Sequence, residues 1–186
     1  MPLSDAQFLA LIPFIEPHSP RGRQIGDLRL RLDAIFHIAA TPDPWSALPE
    51  RFGNPDTVAR YFRRLAHRGA WEHMLITLAG DGASPHLRAI APLIFRACRR
   101  AYRLLGLPFI TLIRRLNLLQ ALPGPPRMVP NPILSETIAS RPFHLPSLAS
   151  RLGRALLQAE IALRKRLHRE AGGHARIPRS LRLAWS

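Results

Sequence analysis

Lysine is nearly missing from this chain: Lys165 is the one lysine among 27 Lys and Arg residues in 186. Acidic residues are few as well, 12 in all, and no aspartate follows Asp81. The formal charge of +15 points to a polyanionic partner, nucleic acid first and an anionic membrane surface second. Arginine's planar fork suits bidentate contact with phosphate and with guanine edges. A GC-rich genome produces the same bias, so the arginines argue for a basic surface and not for any particular contact.

Cysteine is limited to Cys98. That excludes an intrachain disulfide and a cysteine-rich zinc site, and it fits the reducing cytoplasm. The 8 histidines are scattered without an H-x-x-x-H or H-E-x-x-H pair, so neither a metal nor a cofactor is expected. Long apolar runs are lacking too. The stretch 104–113 falls short of the ~18–20 residues a membrane span requires, and the start, with Asp5 and no basic n-region, does not read as a signal peptide. Strand signals are scarce, because apolar residues recur at three and four positions and not at two. The fold expected is all-α.

What is present is a series of helices with local start and stop signals. Ser4 with Gln7 forms a capping box for a helix over 5–14 that carries Phe8, Leu11 and Ile12 inward. After the basic loop Arg21-Gly22-Arg23-Gln24, Asp27 caps a second helix whose stripe is Leu28, Leu32, Ile35, Phe36 and Ala39, with Arg29 and Arg31 off it. Asn54-Pro55 starts a third helix over 55–68, which Gly69 stops. Trp71, Met74, Leu75 and Leu78 mark a fourth, ending near Gly80. Residues 1–80 thus read as a small helical domain.

The segment 81–86 reads as a linker, and 87–170 as a helical appendage. Within the appendage a basic amphipathic helix covers 87–105, 122–132 is Pro-rich and irregular, and a helix over 146–170 carries a seam of Leu148, Leu152, Leu156, Ala159, Leu163 and Leu167. The seam suits a homodimer. The tail, 171–186, is expected to be a disordered basic segment.

The third helix carries the functional signal. Val58, Tyr61, Phe62 and Leu65 share one face; Thr57, Arg60, Arg64, His67 and Arg68 share the other, with Arg63 at the edge. An apolar inner face and a cationic outer one are the marks of a helix-turn-helix recognition helix. The candidate DNA contacts are therefore Asn54, Thr57, Arg60, Arg63, Arg64 and Arg68, joined by Arg21 and Arg23 of the loop as a minor-groove arm. The same pattern also describes a solvated basic face and a polar loop.

From Leu3 to about Leu78 the chain resembles the N-terminal domain of bacterial insertion-sequence transposases with DDE chemistry, of the IS4/IS5 type. The pieces that carry the resemblance are Leu3-Ser4-Asp5, Leu11-Ile12-Pro13, Arg21-Gly22-Arg23, Asp27-Leu28-Arg29, Leu32 to Phe36, Pro44-Trp45, Leu48-Pro49-Glu50-Arg51-Phe52-Gly53, Thr57, Arg63-Arg64 and Gly69-Ala70-Trp71-Glu72. Gln24 stands where the family has a proline, and Pro42-Asp43 where it has Thr-Gly. The resemblance implies a domain that helps bind transposon ends as double-stranded DNA, ahead of an RNase-H-like catalytic domain. Trp45, Leu48, Phe52 and Trp71 are expected to pack and not to contact DNA.

DDE chemistry holds two metal ions on three carboxylates. Beyond Asp81 the acidic residues are Glu136, Glu160 and Glu170 alone, so no catalytic residue is assigned and a non-catalytic DNA-binding protein is expected. Three accounts of the C-terminal half stay open: a frameshifted remnant, a helical appendage that dimerises, and a split transposase whose catalytic part is encoded elsewhere. The alternative from another class is a membrane-surface protein using the basic amphipathic helices. Their lack of interfacial tryptophan argues against it.

Overall fold

The computed structural model describes residues 2–15, 27–174 and 177–185. Among them every regular element is helical and none is a strand, so the all-α expectation holds. The chain forms two compact units, 2–123 and 124–185.

The first unit contains α1 (Asp5–Ile15), α2 (Leu28–Ala39), α3 (Pro55–His67), α4 (Ala70–Ala79), α5 (Pro85–Ala89) and α6 (Ala91–Arg115). Local chemistry sets the helix starts. Ser4 and Gln7 exchange side chain-to-backbone hydrogen bonds of 3.0 and 3.3 Å. The Asp27 carboxylate accepts from Leu30 N at 2.7 Å, and Asn54 Oδ1 accepts from Asp56 N at 2.8 Å, with Pro55 in the first turn. Each cap satisfies amide donors that a helix start leaves without partners.

The division between units does not fall at 81–86. Residues 87–115 belong to the first unit because α6 is its central helix: Ile94, Phe95, Ala97, Cys98 and Ala101 are buried, and α6 packs on α2, α3 and α4. Burying one large aliphatic or aromatic side chain contributes ~1.5–3 kcal/mol, so α6 stabilises helices too short to hold on their own. The single helix expected over 87–105 is two. Pro92 lies in the first turn of α6; inside a continuous helix its ring would meet the carbonyl four residues back, and the chain breaks at Ile90. Gly106, at φ +67°, breaks α6 again. Helix then resumes, with Pro108 in its opening turn, where the missing N–H costs little.

The second unit contains α7 (Pro132–Ser140), α8 (Arg151–Gly172) and α9 (Arg179–Ala184), with α7 packed on α8. The helix expected from 146 starts at Arg151, because the Ser150 hydroxyl caps it by accepting from Gly153 N at 2.9 Å. Asn131 N donates to Ala171 O and His174 N to Met128 O, at 2.7 and 2.9 Å, fastening 128–131 to the end of α8. Leu148, Leu152, Leu156 and Leu163 of the seam are exposed, Leu152 to 70%. The tail expected to lack structure includes the helix α9.

Candidate nucleic-acid interface

Helix α3 separates its faces as its sequence requires. Val58, Ala59, Tyr61, Phe62, Leu65 and Ala66 are buried, whereas Asp56, Arg60, Arg63, Arg64, His67 and Arg68 are exposed. The inner face is anchored by aromatic packing: the Phe62 ring lies 5.1 Å from that of Trp45 and 5.4 Å from that of Trp71, centre to centre. Phe52 packs on His37 at 5.1 Å, and Leu48 is buried. Trp45 and Trp71 therefore fix the position of α3 through Phe62, while Phe52 packs against α2.

The connection into α3 is long. Residues 40–54, with two short 3₁₀ turns at Trp45–Ala47 and Glu50–Phe52, join it to α2. A tight turn occurs instead on the other side of α3, where Gly69 adopts φ +74° and α4 follows at once. Helix α4 contains no arginine, so the cationic face of this helix pair is that of α3.

Several other arginines of this unit serve the fold. Arg29 pairs with Asp5 and donates to the Leu3 carbonyl. Arg88 donates to the carbonyls of Ala83, Gly80 and Asp81 at 3.3, 3.3 and 3.4 Å. Arg99 donates to Gln120 O at 2.8 and 3.0 Å, and Arg100 to Thr41 O and Asp43 O at 2.9 and 2.6 Å. Arg60, Arg63 and Arg64 differ. Among the described residues none of the three is paired with a carboxylate; Arg60 makes one local bond, to Asp56 O at 3.3 Å.

Tyr61 lies beneath this face. Its hydroxyl donates to Ile15 O at 3.5 Å, and the guanidiniums of Arg31 and Arg64 lie 5.9 and 5.5 Å from its ring centre. Burial pushes the Tyr61 phenol above its ordinary pKa, against the opposing pull of Arg68, Arg64 and Arg31. A shallow cleft of about 210 Å³ opens beside the start of α3, lined among others by Leu30, Arg31, Phe52, Asn54 and Thr57.

The residues anticipated as DNA contacts are thus only partly brought together. Arg60, Arg63, Arg64 and Arg68 share the exposed face of α3. Thr57 is half-buried at the cleft, and Asn54 spends its side-chain oxygen on the helix cap. Arg21 and Arg23 lie outside the described residues. Arg31, not among the anticipated residues, lies beside them: the sequence places it off the apolar stripe of α2 but does not show that α2 and α3 meet so as to lay it against Tyr61. Among the described residues no three of His, Cys, Asp or Glu cluster as a metal site would require, and no helix is long and apolar enough to cross a membrane.

No curated protein and no solved structure matches the chain. Residues 3–75, which hold the packing aromatics and the whole arginine face of α3, match the model of the family described as "Putative transposase of IS4/5 family (DUF4096)", as expected of an IS4/IS5-type transposase N-terminal domain.

Proposed function

We propose that this chain is a non-catalytic DNA-binding protein of transposase origin, which holds duplex DNA, transposon ends among it, on the outer face of α3. The observation that carries this reading is the contrast among the arginines. Arg29, Arg88, Arg99 and Arg100 are tied to oxygens of the fold, while Arg60 and Arg64 stand exposed one turn apart on a single helix, with Arg63 exposed at the edge of the same face, and none of the three has a carboxylate partner among the described residues. Such a row suits a line of backbone phosphates, which positions a protein on DNA with little sequence information. The absence of aspartate beyond Asp81 supports a role in binding and not in strand transfer, exercised on DNA in the cytoplasm.

Fluorescence anisotropy of labelled duplexes at several salt concentrations tests the reading, with random duplexes set against the terminal repeats of an element flanking the gene. Binding that weakens steeply with salt, prefers the repeat and is lost on Arg60→Ala/Arg64→Ala supports a transposon-end reader. Equal binding to every duplex that ignores the double substitution sinks it.

For the second unit, the exposed leucines of α8, Leu152, Leu156 and Leu163, with Leu148 just before the helix, support self-association. Sedimentation equilibrium of the full chain against Leu152→Glu/Leu156→Glu tests it: a dimer is expected for the former and a monomer for the latter, and a monomeric unmodified chain removes the idea.

A further inference from the structure

Arg31 and Arg64 come from different helices, yet both guanidiniums reach the same ring: 5.9 and 5.5 Å from the centre of Tyr61. Among the described residues neither is paired with a carboxylate. Two like charges held beside one ring repel each other, and attraction of each cation to the ring's negative face offsets this only in part. An anion placed between them relieves the repulsion and uses both planar forks. Tyr61 itself is 1% exposed and held to Ile15 O, so the ring is a fixed platform for both side chains. Arg31 also walls the cleft that contains Thr57, which makes the surface continuous from α2 across to α3.

We infer that Arg31 of α2 and Arg64 of α3, both seated against the buried Tyr61 ring, form a clamp for one backbone phosphate of duplex DNA. The clamp rests on the proposal that α3 binds DNA, and it adds a second helix to that interface. A phosphate gripped from two helices fixes the angle at which α3 meets the duplex, which a row of arginines on one helix does not. Arg68, the residue that follows α3, also acts by its charge on the Tyr61 hydroxyl.

The test compares Arg31→Gln, Arg64→Gln and the double variant in the full chain, with salt-dependent affinity for a random duplex as the readout and thermal unfolding as the check on folding. Each single substitution is expected to weaken binding several-fold without moving the unfolding midpoint. The double variant is expected to lower the salt slope by about 1, the value of a single phosphate, and to lose less than the product of the two single losses. A fall of about 2 with independent losses means two separate contacts and overturns the clamp; so does an Arg31→Gln protein that binds as the unmodified chain does. Should Arg31→Gln fail to fold, Arg31→Lys keeps charge and stem but loses the fork; several-fold weaker binding is expected, and unchanged affinity overturns the clamp. Inorganic phosphate, titrated at matched ionic strength, separates the sources: if Arg31→Gln abolishes its binding while duplex binding stays intact, the site is one for free anions and the duplex assignment is wrong. A chain with no salt-dependent duplex binding at all removes both readings, whereas loss on Arg60→Ala/Arg64→Ala with indifference to Arg31→Gln removes the clamp alone.

Discussion

The guanidinium of Arg100 lies 5.4 Å from the centre of the Trp45 ring while it donates to the carbonyls of Thr41 and Asp43. A side chain of α6, outside the family-matched segment 3–75, thus holds the Pro44-Trp45 turn on which Phe62 of α3 packs. Replacing Arg100 with Ala removes two charge-assisted bonds and the stacked cation. A loss of ~1–3 kcal/mol is expected, read by urea denaturation followed by circular dichroism. A stability within error of the unmodified chain would show that this contact contributes nothing.

The central place of α6 makes a second prediction by contrast. Ile94 is fully buried, whereas Leu152 on α8 is 70% exposed. Ile94→Ala should cost ~2–5 kcal/mol, while Leu152→Ala should stay within ~0.5 kcal/mol. The two are compared by chemical denaturation at one low protein concentration, so that self-association does not enter. Equal effects would mean that α6 is not the core of its unit.

Gly69 isolates a backbone effect. It adopts φ +74°, and an added Cβ would meet nothing within 4 Å among the described residues. Gly69→Ala therefore costs only the left-handed conformation, ~1–2 kcal/mol, and Gly69→Asn should cost less, because asparagine tolerates that region. Thermal unfolding of both variants gives the order; an alanine variant as stable as the glycine form contradicts the geometry.

Glu72 sets a pH dependence. Burial raises its pKa above the ordinary carboxylate value, opposed by a bond from its own backbone and by His73, and Oε2 is buried without a hydrogen-bond partner among the described residues. A carboxyl with a folded pKa above its unfolded one favours folding while protonated. Its contribution is complete below the unfolded pKa and is lost as pH rises through the folded one. Glu72→Gln should accordingly gain stability over the unmodified chain on going from acid to neutral pH, and two denaturation series at those pH values show whether it does. A difference that does not change with pH would count against a raised pKa.

Much of the first unit was legible in the sequence because its signals are local. Ser4 with Gln7, Asp27, and Asn54 before Pro55 each place a side-chain acceptor within three residues of the amides it caps, and Gly69 ends α3 through its own φ. The same Asn-Pro pair stands at Asn131-Pro132, where Asn131 accepts from Leu134 N at 3.2 Å and α7 begins. That start is as local as the others, but the Pro-rich composition of 122–132 masks it. The period of three and four along α3 likewise set which arginines face outward, because the helix repeat alone decides it.

The tertiary structure decided which arginines remain available. Arg100 finds its carbonyls 57 and 59 residues away and Arg99 its own 21 away, and no periodicity reports a partner at such a distance. It also decided that α6 fills the core of the first unit, an outcome that depends on how α2, α3 and α4 leave their apolar faces together. The approach of Arg31 and Arg64 to one ring, that of Tyr61, has the same origin: a helix repeat fixes the face of each residue on its own helix, but only the packing of α2 against α3 brings Arg31 to a ring that α3 carries.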